Sequence, residues 1–145
     1  MELNRVAEVD GFVPLRKAIV STANKSGLIE FIQALMEICP ELVIYSTGGT
    51  YTALKAHLSP GTIRKKLRSI TEYTGQPEMQ GGLVKTLDYR IYLGLLSETY
   101  NEAHRADLIR MQASPFDLVV VNLYPFQEAV SRPDCTIEDG RTHID

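Results

Sequence analysis

The segment KAIVSTANKSGLIEFIQALMEICPELVIYSTGGT, residues 17–50, decides the fold of this chain. It opens with a short apolar run at residues 17–22 and closes with another at residues 41–46, and both are typical of buried strands. Asn24 is a suitable helix cap between them, and Pro40 is a suitable stop. Apolar side chains recur between these two at helical spacing, namely Leu28, Phe31, Ile32, Leu35, Met36 and Cys39. The segment therefore predicts a strand, a helix and a second strand.

The next stretches continue this alternation. TGGT at residues 47–50 predicts a turn, and residues 51–58 predict a short helix before a further turn at Ser59-Pro60-Gly61. The basic stretch IRKKLRSI, residues 63–70, predicts a solvated strand at the edge of the sheet. Phosphate binding is the alternative for its four cations, which are Arg64, Lys65, Lys66 and Arg68.

The second half of the chain completes the fold prediction. Residues 99–112 predict a surface helix, Leu118–Val121 the clearest buried strand, and the polar tail from Ser131 the start of a helix. Continuous apolar strands that alternate with helices imply a parallel sheet covered on both faces. We therefore predict a single three-layer α/β domain over residues 17–145, preceded by an N-terminal arm at residues 1–16.

Composition narrows the class of protein. The 145 residues carry a net charge of −3, which gives no general attraction to nucleic acid or to an anionic membrane. No apolar run is long enough to span a bilayer, and the first residues lack the apolar core of a secretion signal. We expect a cytoplasmic protein in which Cys39 and Cys135 are free thiols rather than a disulfide. The histidines His57, His104 and His143 show no metal-ligand spacing, so we predict neither a metal nor a cofactor.

Small, hydroxyl-bearing and glycine residues follow three of the predicted strands, at residues 21–25, 46–50 and 122–124. In parallel sheets ligands bind beyond the carboxyl ends of the strands, so these segments should meet at one edge. The two glycines of STGGT let backbone N–H groups face an anion at a helix start. Lys25, expected in the first turn of its helix, opposes the helix dipole and should face an anion too. The pattern predicts a phosphate site, with a plain strand-to-helix turn as the alternative; neither dinucleotide nor P-loop fingerprints are present.

Four segments, STANKSGLIEF, STGGT, TEYTGQPEMQGGLVKTL and FDLVVVNLYPF, carry a family resemblance. In this order they resemble the inosine monophosphate (IMP) cyclohydrolase domain of the bifunctional purine biosynthesis enzyme that also carries a transformylase. The resemblance spans Lys17 to about Asp145 and includes no transformylase. It implies a methylglyoxal-synthase-like fold, a purine-precursor ribotide as ligand and a homodimer. It also implies a reaction, in which the formylated aminoimidazole carboxamide ribotide closes to IMP and loses water.

The resemblance also implies which residues form the site. Three of them would be catalytic, namely Lys85, Tyr124 and Asp145. Eight would bind the substrate, namely Ser21, Lys25, Thr47, Gly49, Thr50, Thr86, Leu87 and Asn122. The alternatives are that Tyr124 packs beside Pro125 and that Asp145 belongs to the surface.

The chain departs from the family pattern at several positions. Leu83 stands where an arginine is usual, Ala23 replaces a serine, and Asp88-Tyr89 replaces a His-Pro pair. The sequence given ends at Asp145, before a glycine pair and a lysine of the family. We therefore expect a domain that binds nucleotide but turns over slowly. Two other hypotheses remain, a non-catalytic nucleotide- or phosphate-binding regulatory module of the same fold and a methylglyoxal synthase acting on a triose phosphate.

Overall fold

A computed structural model describes residues 11–77 and 86–142, the last two of them by backbone alone. Its centre is a sheet of four parallel strands in the order β3-β2-β1-β4. The strands are β1 (Lys17–Thr22), β2 (Val43–Ser46), β3 (Leu67–Ser69) and β4 (Leu118–Asn122). The first two coincide with the apolar runs of the opening segment, and the parallel pairing confirms the predicted α/β fold class.

Helices connect and flank these strands. They are α1 (Leu28–Ile38), α2 (Gly48–His57), α3 (Pro60–Lys66), α4 (Ile70–Thr74), α5 (Tyr89–Leu96), α6 (Glu102–Arg110), α7 (Phe126–Val130) and α8 (Ile137–Thr142). Helix α6 confirms the surface helix predicted over residues 99–112, and α8 confirms the helix expected after Ser131. Within the described ranges, every helix is too short or too polar to cross a membrane.

Two apolar clusters pack on opposite faces of the sheet. On one face Val20 and Ile44 meet Ile32 of α1 and Leu54 of α2, all fully buried. On the other face Ile19 packs with Ile70 and Ile91, and three aromatic rings extend this cluster, namely Tyr45, Tyr73 and Phe116. The sheet is therefore the middle layer of three, as the alternating pattern predicts.

Strand β4 is less buried than its sequence predicts. It lies at the edge of the sheet, and Val119 and Val121 are 47% and 59% exposed. Leu118 and Val120 face the α1 and α2 side and pack on that cluster. The prediction of a fully buried strand is therefore wrong for one face, where the valines border an open cleft instead.

Three helix starts differ from the sequence predictions. Asn24 does not cap α1, because Gly27 in a left-handed conformation (φ 70°) is the N-cap; the Asn24 side chain accepts from the Ser26 N–H instead. Residues 47–50 do not form a separate turn, because α2 begins directly at Gly48. The predicted turn at residues 59–61 is the start of α3, whose cap Ser59 accepts from the Thr62 N–H.

The basic stretch at residues 63–70 divides among three elements, the last of which is α4, beginning at Ile70. Its first residues end α3, and Leu67–Ser69 form the edge strand β3. The predicted edge strand is therefore confirmed for these three residues, and the residues before them are helical instead. The Arg68 guanidinium donates to the carbonyl oxygens of Arg64 and Leu67 at 2.8 and 2.9 Å, so it closes the carboxyl end of α3.

Candidate functional site

The carboxyl ends of β1, β2 and β4 open onto a cleft of about 660 Å³. Register pairs Val20 with Ser46 and Thr22 with Asn122, so the three strands end at one level. Polar and small residues border one part of the cleft, namely Ser21, Thr22, Ala23, Lys25, Thr47, Gly49, Thr50, Thr86 and Asn122. Apolar and aromatic residues border the rest, namely Ile19, Leu87, Ile91, Tyr92, Leu95, Val119, Val121, Leu123 and Tyr124.

The structure brings most of the predicted site residues together at this cleft. Those lining it are Ser21, Lys25, Thr47, Gly49, Thr50, Thr86, Leu87, Asn122 and Tyr124. Lys85 and Asp145 lie outside the described residues, as does the glycine pair Gly81-Gly82. The cations of residues 64–68 are not among the cleft residues. The role of each lining residue is a prediction.

The amino end of α2 forms one wall of the cleft. The first N–H groups of a helix have no acceptor within it, and its dipole makes this end positive. Thr47 is the N-cap, but its side chain does not cap the helix. Its hydroxyl lies 3.3 Å from that of Ser21 instead. The N–H groups of residues 48–50 are therefore available to an anion.

Lys25 lies beside this helix end. It is not in the first turn of α1 as predicted, because left-handed Gly27 delays the helix start to Leu28. Its ammonium donates to the carbonyl oxygens of Thr22 and Ala23, both at 3.2 Å. A Cβ atom placed on Gly49 would lie 3.7 Å from the Lys25 Nζ.

Two positive features therefore meet at the polar end of the cleft. No carboxylate from the described parts of the chain forms a salt bridge with Lys25. Its charge adds to the positive end of α2, and this combination favours an anion such as phosphate.

Buried hydroxyl groups beneath this wall tie β1 to its neighbours. The Thr50 hydroxyl accepts from the Thr22 N–H and donates to the Thr22 carbonyl oxygen, both at 3.0 Å. The Ser46 hydroxyl donates to the Val20 carbonyl oxygen at 2.7 Å. The start of α2 is thus fixed against the end of β1, and the polar end of the cleft is preorganised.

Asn122 uses its side chain on the neighbouring loop. Its Oδ1 accepts from the N–H groups of Ala23 and Asn24 at 2.7 and 3.1 Å, and its Nδ2 donates to the Asn24 carbonyl oxygen at 2.8 Å. The predicted substrate-binding residue therefore holds backbone in this structure, although it also borders the cleft.

Tyr124 and the start of α5 border the apolar part of the cleft. The Tyr124 side chain is 40% exposed, and its hydroxyl has no hydrogen-bond partner within the described ranges. Asp88 accepts from the Arg90 N–H and caps α5, so this departure from the family pattern has a structural use.

Sequence reasoning missed the contribution of α5 to the cleft. Ile91, Tyr92 and Leu95 of this helix line the apolar part. The available signal was the cap Asp88 followed by apolar residues four apart, Ile91 and Leu95.

The model of the MGS-like domain matches residues 27–145. The chain belongs to the MGS-like domain family. Its described fold, a parallel sheet between two layers of helices, agrees with this membership.

Curated relatives of this MGS-like domain are bifunctional purine biosynthesis proteins named PurH. It is 43% identical over 130 residues to the one from Prochlorococcus marinus (strain MIT 9211) and 41% identical to the one from Bacillus cytotoxicus. These matches cover 90% of this chain but only 24% of each relative, so the chain spans about a quarter of their length.

A solved structure shares the fold. The crystal structure of ForH superposes with a TM-score of 0.61 over 89% of this chain and 65% of ForH, at 20% sequence identity. At this level of identity the likeness shows the fold alone.

Proposed function

We propose that this MGS-like domain is an IMP cyclohydrolase domain of purine biosynthesis, which closes the formylated aminoimidazole carboxamide ribotide to IMP. The observation that carries the proposal is the meeting of Lys25, the amino end of α2 and Tyr124 around one cleft. The similarity to PurH supports the choice of this reaction. The homodimer and the cytoplasmic location stay predictions beside it.

The 5′-phosphate of the ribotide would lie at the polar end. Two phosphate oxygens would accept from the N–H groups that begin α2, and Lys25 would supply the balancing charge. The hydroxyls of Ser21 and Thr47, 3.3 Å apart, are further donors for a phosphate oxygen. Gly49 has no side chain to cover this backbone.

The heterocycle would lie on the apolar part of the cleft. Ile91 and Tyr92 of α5 and Val121 of β4 offer a surface for a planar ring. A phosphate held at one end and a ring held at the other fix the orientation of the two reacting groups. Orientation supplies much of the rate in an intramolecular closure.

The reaction then needs proton transfer and stabilisation of a developing oxyanion. The carboxamide nitrogen attacks the formamido carbon, and the new C–N bond closes the ring. The carboxamide and formamido nitrogens each lose one proton, and the former formyl oxygen leaves as water. The Tyr124 hydroxyl makes no hydrogen bond within the described residues. It would donate to that oxygen while negative charge develops on it.

A non-catalytic nucleotide-binding module is the second candidate. One observation favours it, since Asp88, which replaces a family histidine, serves as a helix cap and is not among the residues lining the cleft. Such a module would bind the ribotide in the same cleft without closing it.

Incubation with the formylated ribotide separates the candidates. Purine absorbance should appear with time, and triose phosphate in a parallel reaction should yield no methylglyoxal. Saturable binding of the ribotide without purine formation would favour the regulatory module. Methylglyoxal formation would identify a synthase and contradict the proposal.

A further inference from the structure

Asn122 occupies a particular place in the sheet. It is the last residue of edge strand β4, in register with Thr22, the last residue of β1. Its one amide group makes three hydrogen bonds to backbone atoms of Ala23 and Asn24, 98 or 99 positions away in sequence. The side chain thereby joins the end of β4 to the loop that leaves β1.

This loop determines where the Lys25 ammonium lies. Lys25 follows Asn24 directly, and its Nζ is bound to the carbonyl oxygens of Thr22 and Ala23. The backbone that Asn122 holds is therefore next to, and partly the same as, the backbone that holds the ammonium. Any change in the path of residues 23 and 24 would move the charge away from Gly49 and the start of α2.

The amide of Asn122 has little capacity left for a ligand. Its oxygen already accepts two N–H groups, and one of its two N–H groups is donated to Asn24. A carboxamide offers two N–H groups and one acceptor oxygen. Its contribution to ligand binding should therefore pass through the loop.

We propose that Asn122 is a positioning residue that places the Lys25 ammonium beside the amino end of α2 and so sets the affinity of the cleft for a sugar phosphate. The inference rests on the phosphate-binding part of the proposed function and does not depend on ring closure.

A double-mutant cycle tests this coupling, with ribose 5-phosphate as the probe and calorimetric titration as the measurement. The variants are Asn122→Ala, Lys25→Gln and the double substitution. Loss of the charged donor Lys25 should lower affinity by about tenfold or more, and Asn122→Ala by severalfold. In the Lys25→Gln background, Asn122→Ala should lower the affinity by less than about twofold, because its effect on the ligand passes through Lys25. If Asn122→Ala lowered the affinity by the same factor with Lys25 present and with Lys25→Gln, Asn122 would act on the ligand independently of Lys25. That result would overturn the inference.

Asn101 provides a matched control. Its side chain also accepts from two backbone N–H groups, those of Ala103 and His104, but it caps α6 away from the cleft. Asn101→Ala should leave the affinity for ribose 5-phosphate within about twofold of the unsubstituted chain. An equal loss in Asn101→Ala and Asn122→Ala would attribute the effect to general destabilisation and contradict the inference.

Amide NMR spectra without ligand provide a second measurement. Asn122 is exposed, so its truncation opens no cavity and the fold should be retained. Asn122→Ala should shift the signals of Ala23, Asn24 and Gly49, whereas unchanged signals at Gly49 would overturn the inference. Failure of the unsubstituted chain to bind ribose 5-phosphate would overturn it together with the phosphate site. Intact coupling without ring closure would contradict only the proposed reaction.

Discussion

Two buried threonines beneath the cleft differ in how their hydroxyls are paired. The Thr50 hydroxyl makes both of its hydrogen bonds to the Thr22 backbone, at 3.0 Å each. The Thr22 hydroxyl is buried and has no partner within the described ranges. A buried polar group without a partner costs free energy, whereas a paired one leaves its partners unsatisfied when it is removed.

Substitution by valine should therefore have opposite results at these two positions. Thr22→Val should leave the free energy of unfolding unchanged or raise it by about 1 kcal/mol, because an unpaired hydroxyl is lost. Thr50→Val should lower it by about 1–3 kcal/mol, because the N–H and carbonyl of Thr22 lose their partner. Urea unfolding measures both. A loss in Thr22→Val as large as that in Thr50→Val would contradict this account of the site.

The Tyr124 hydroxyl gives a test of the chemistry. If it donates to the developing oxyanion, Tyr124→Phe should lower turnover on the order of a hundredfold. Binding of IMP should stay within about twofold, because the ring remains. Steady-state kinetics and a titration with IMP separate the two effects. Unchanged turnover would remove Tyr124 from the mechanism.

Sequence reasoning reached some of these residues but not their pairings. Lys25, Gly49 and Thr50 could be placed at one edge because the carboxyl ends of parallel strands align. The bond from Asn122 to the Ala23 loop depends on residues 99 positions apart, whose relative register a single sequence does not specify. The same limit hid the difference between the hydroxyls of Thr22 and Thr50.

At the scale of elements, α5 packs closely against the residues that precede β4. The Phe116 N–H donates to the Gly94 carbonyl oxygen at 3.0 Å. A Cβ atom on Gly94 would lie 2.3 Å from the Ser114 carbonyl oxygen and 2.6 Å from the Phe116 ring. Glycine at this position lets the helix that lines the cleft pack against backbone.

Gly94→Ala should therefore destabilise the fold, although alanine ordinarily favours a helix. We expect the free energy of unfolding to fall by about 1–3 kcal/mol, because the new methyl group would displace packed atoms. Gly140 in α8 is the control, since among the described residues no atom outside its own helix backbone and its chain neighbours lies within 4 Å of a Cβ there. Gly140→Ala should raise the free energy of unfolding by about 0.5–1 kcal/mol, because alanine is favoured over glycine inside a helix. Thermal or urea unfolding compares them, and equal effects would contradict the packing of α5.

The elements found from sequence share a physical reason. Strands β1 and β2 are covered on both faces and so require continuous apolar runs. The apolar run in β4 has a different cause, because its Val119 and Val121 line the cleft instead of packing under a helix. A sequence alone does not distinguish a strand covered on both faces from one that borders a cleft. Helices α4, α5 and α7 have eight residues or fewer, so periodicity is weak and tertiary packing decides them.

At the scale of the whole molecule, the two faces of the sheet are unequal. The face under α1 and α2 has the larger buried cluster, whereas the opposite face has a small cluster and then opens as the cleft. The net charge of −3 gives no sign of an anion site. Local charge decides instead, because Lys25 and the amino end of α2 adjoin each other.

Binding of IMP, followed by amide NMR and titration, tests most directly the claim that this cleft holds a nucleotide phosphate. The largest shifts should fall on residues 48–50, and Lys25→Gln should weaken binding by about tenfold or more. Lys55→Gln, a control on the exposed side of α2, should change the affinity by less than about twofold. Shifts confined to other surfaces, or equal affinity in the Lys25→Gln and Lys55→Gln variants, would contradict the account.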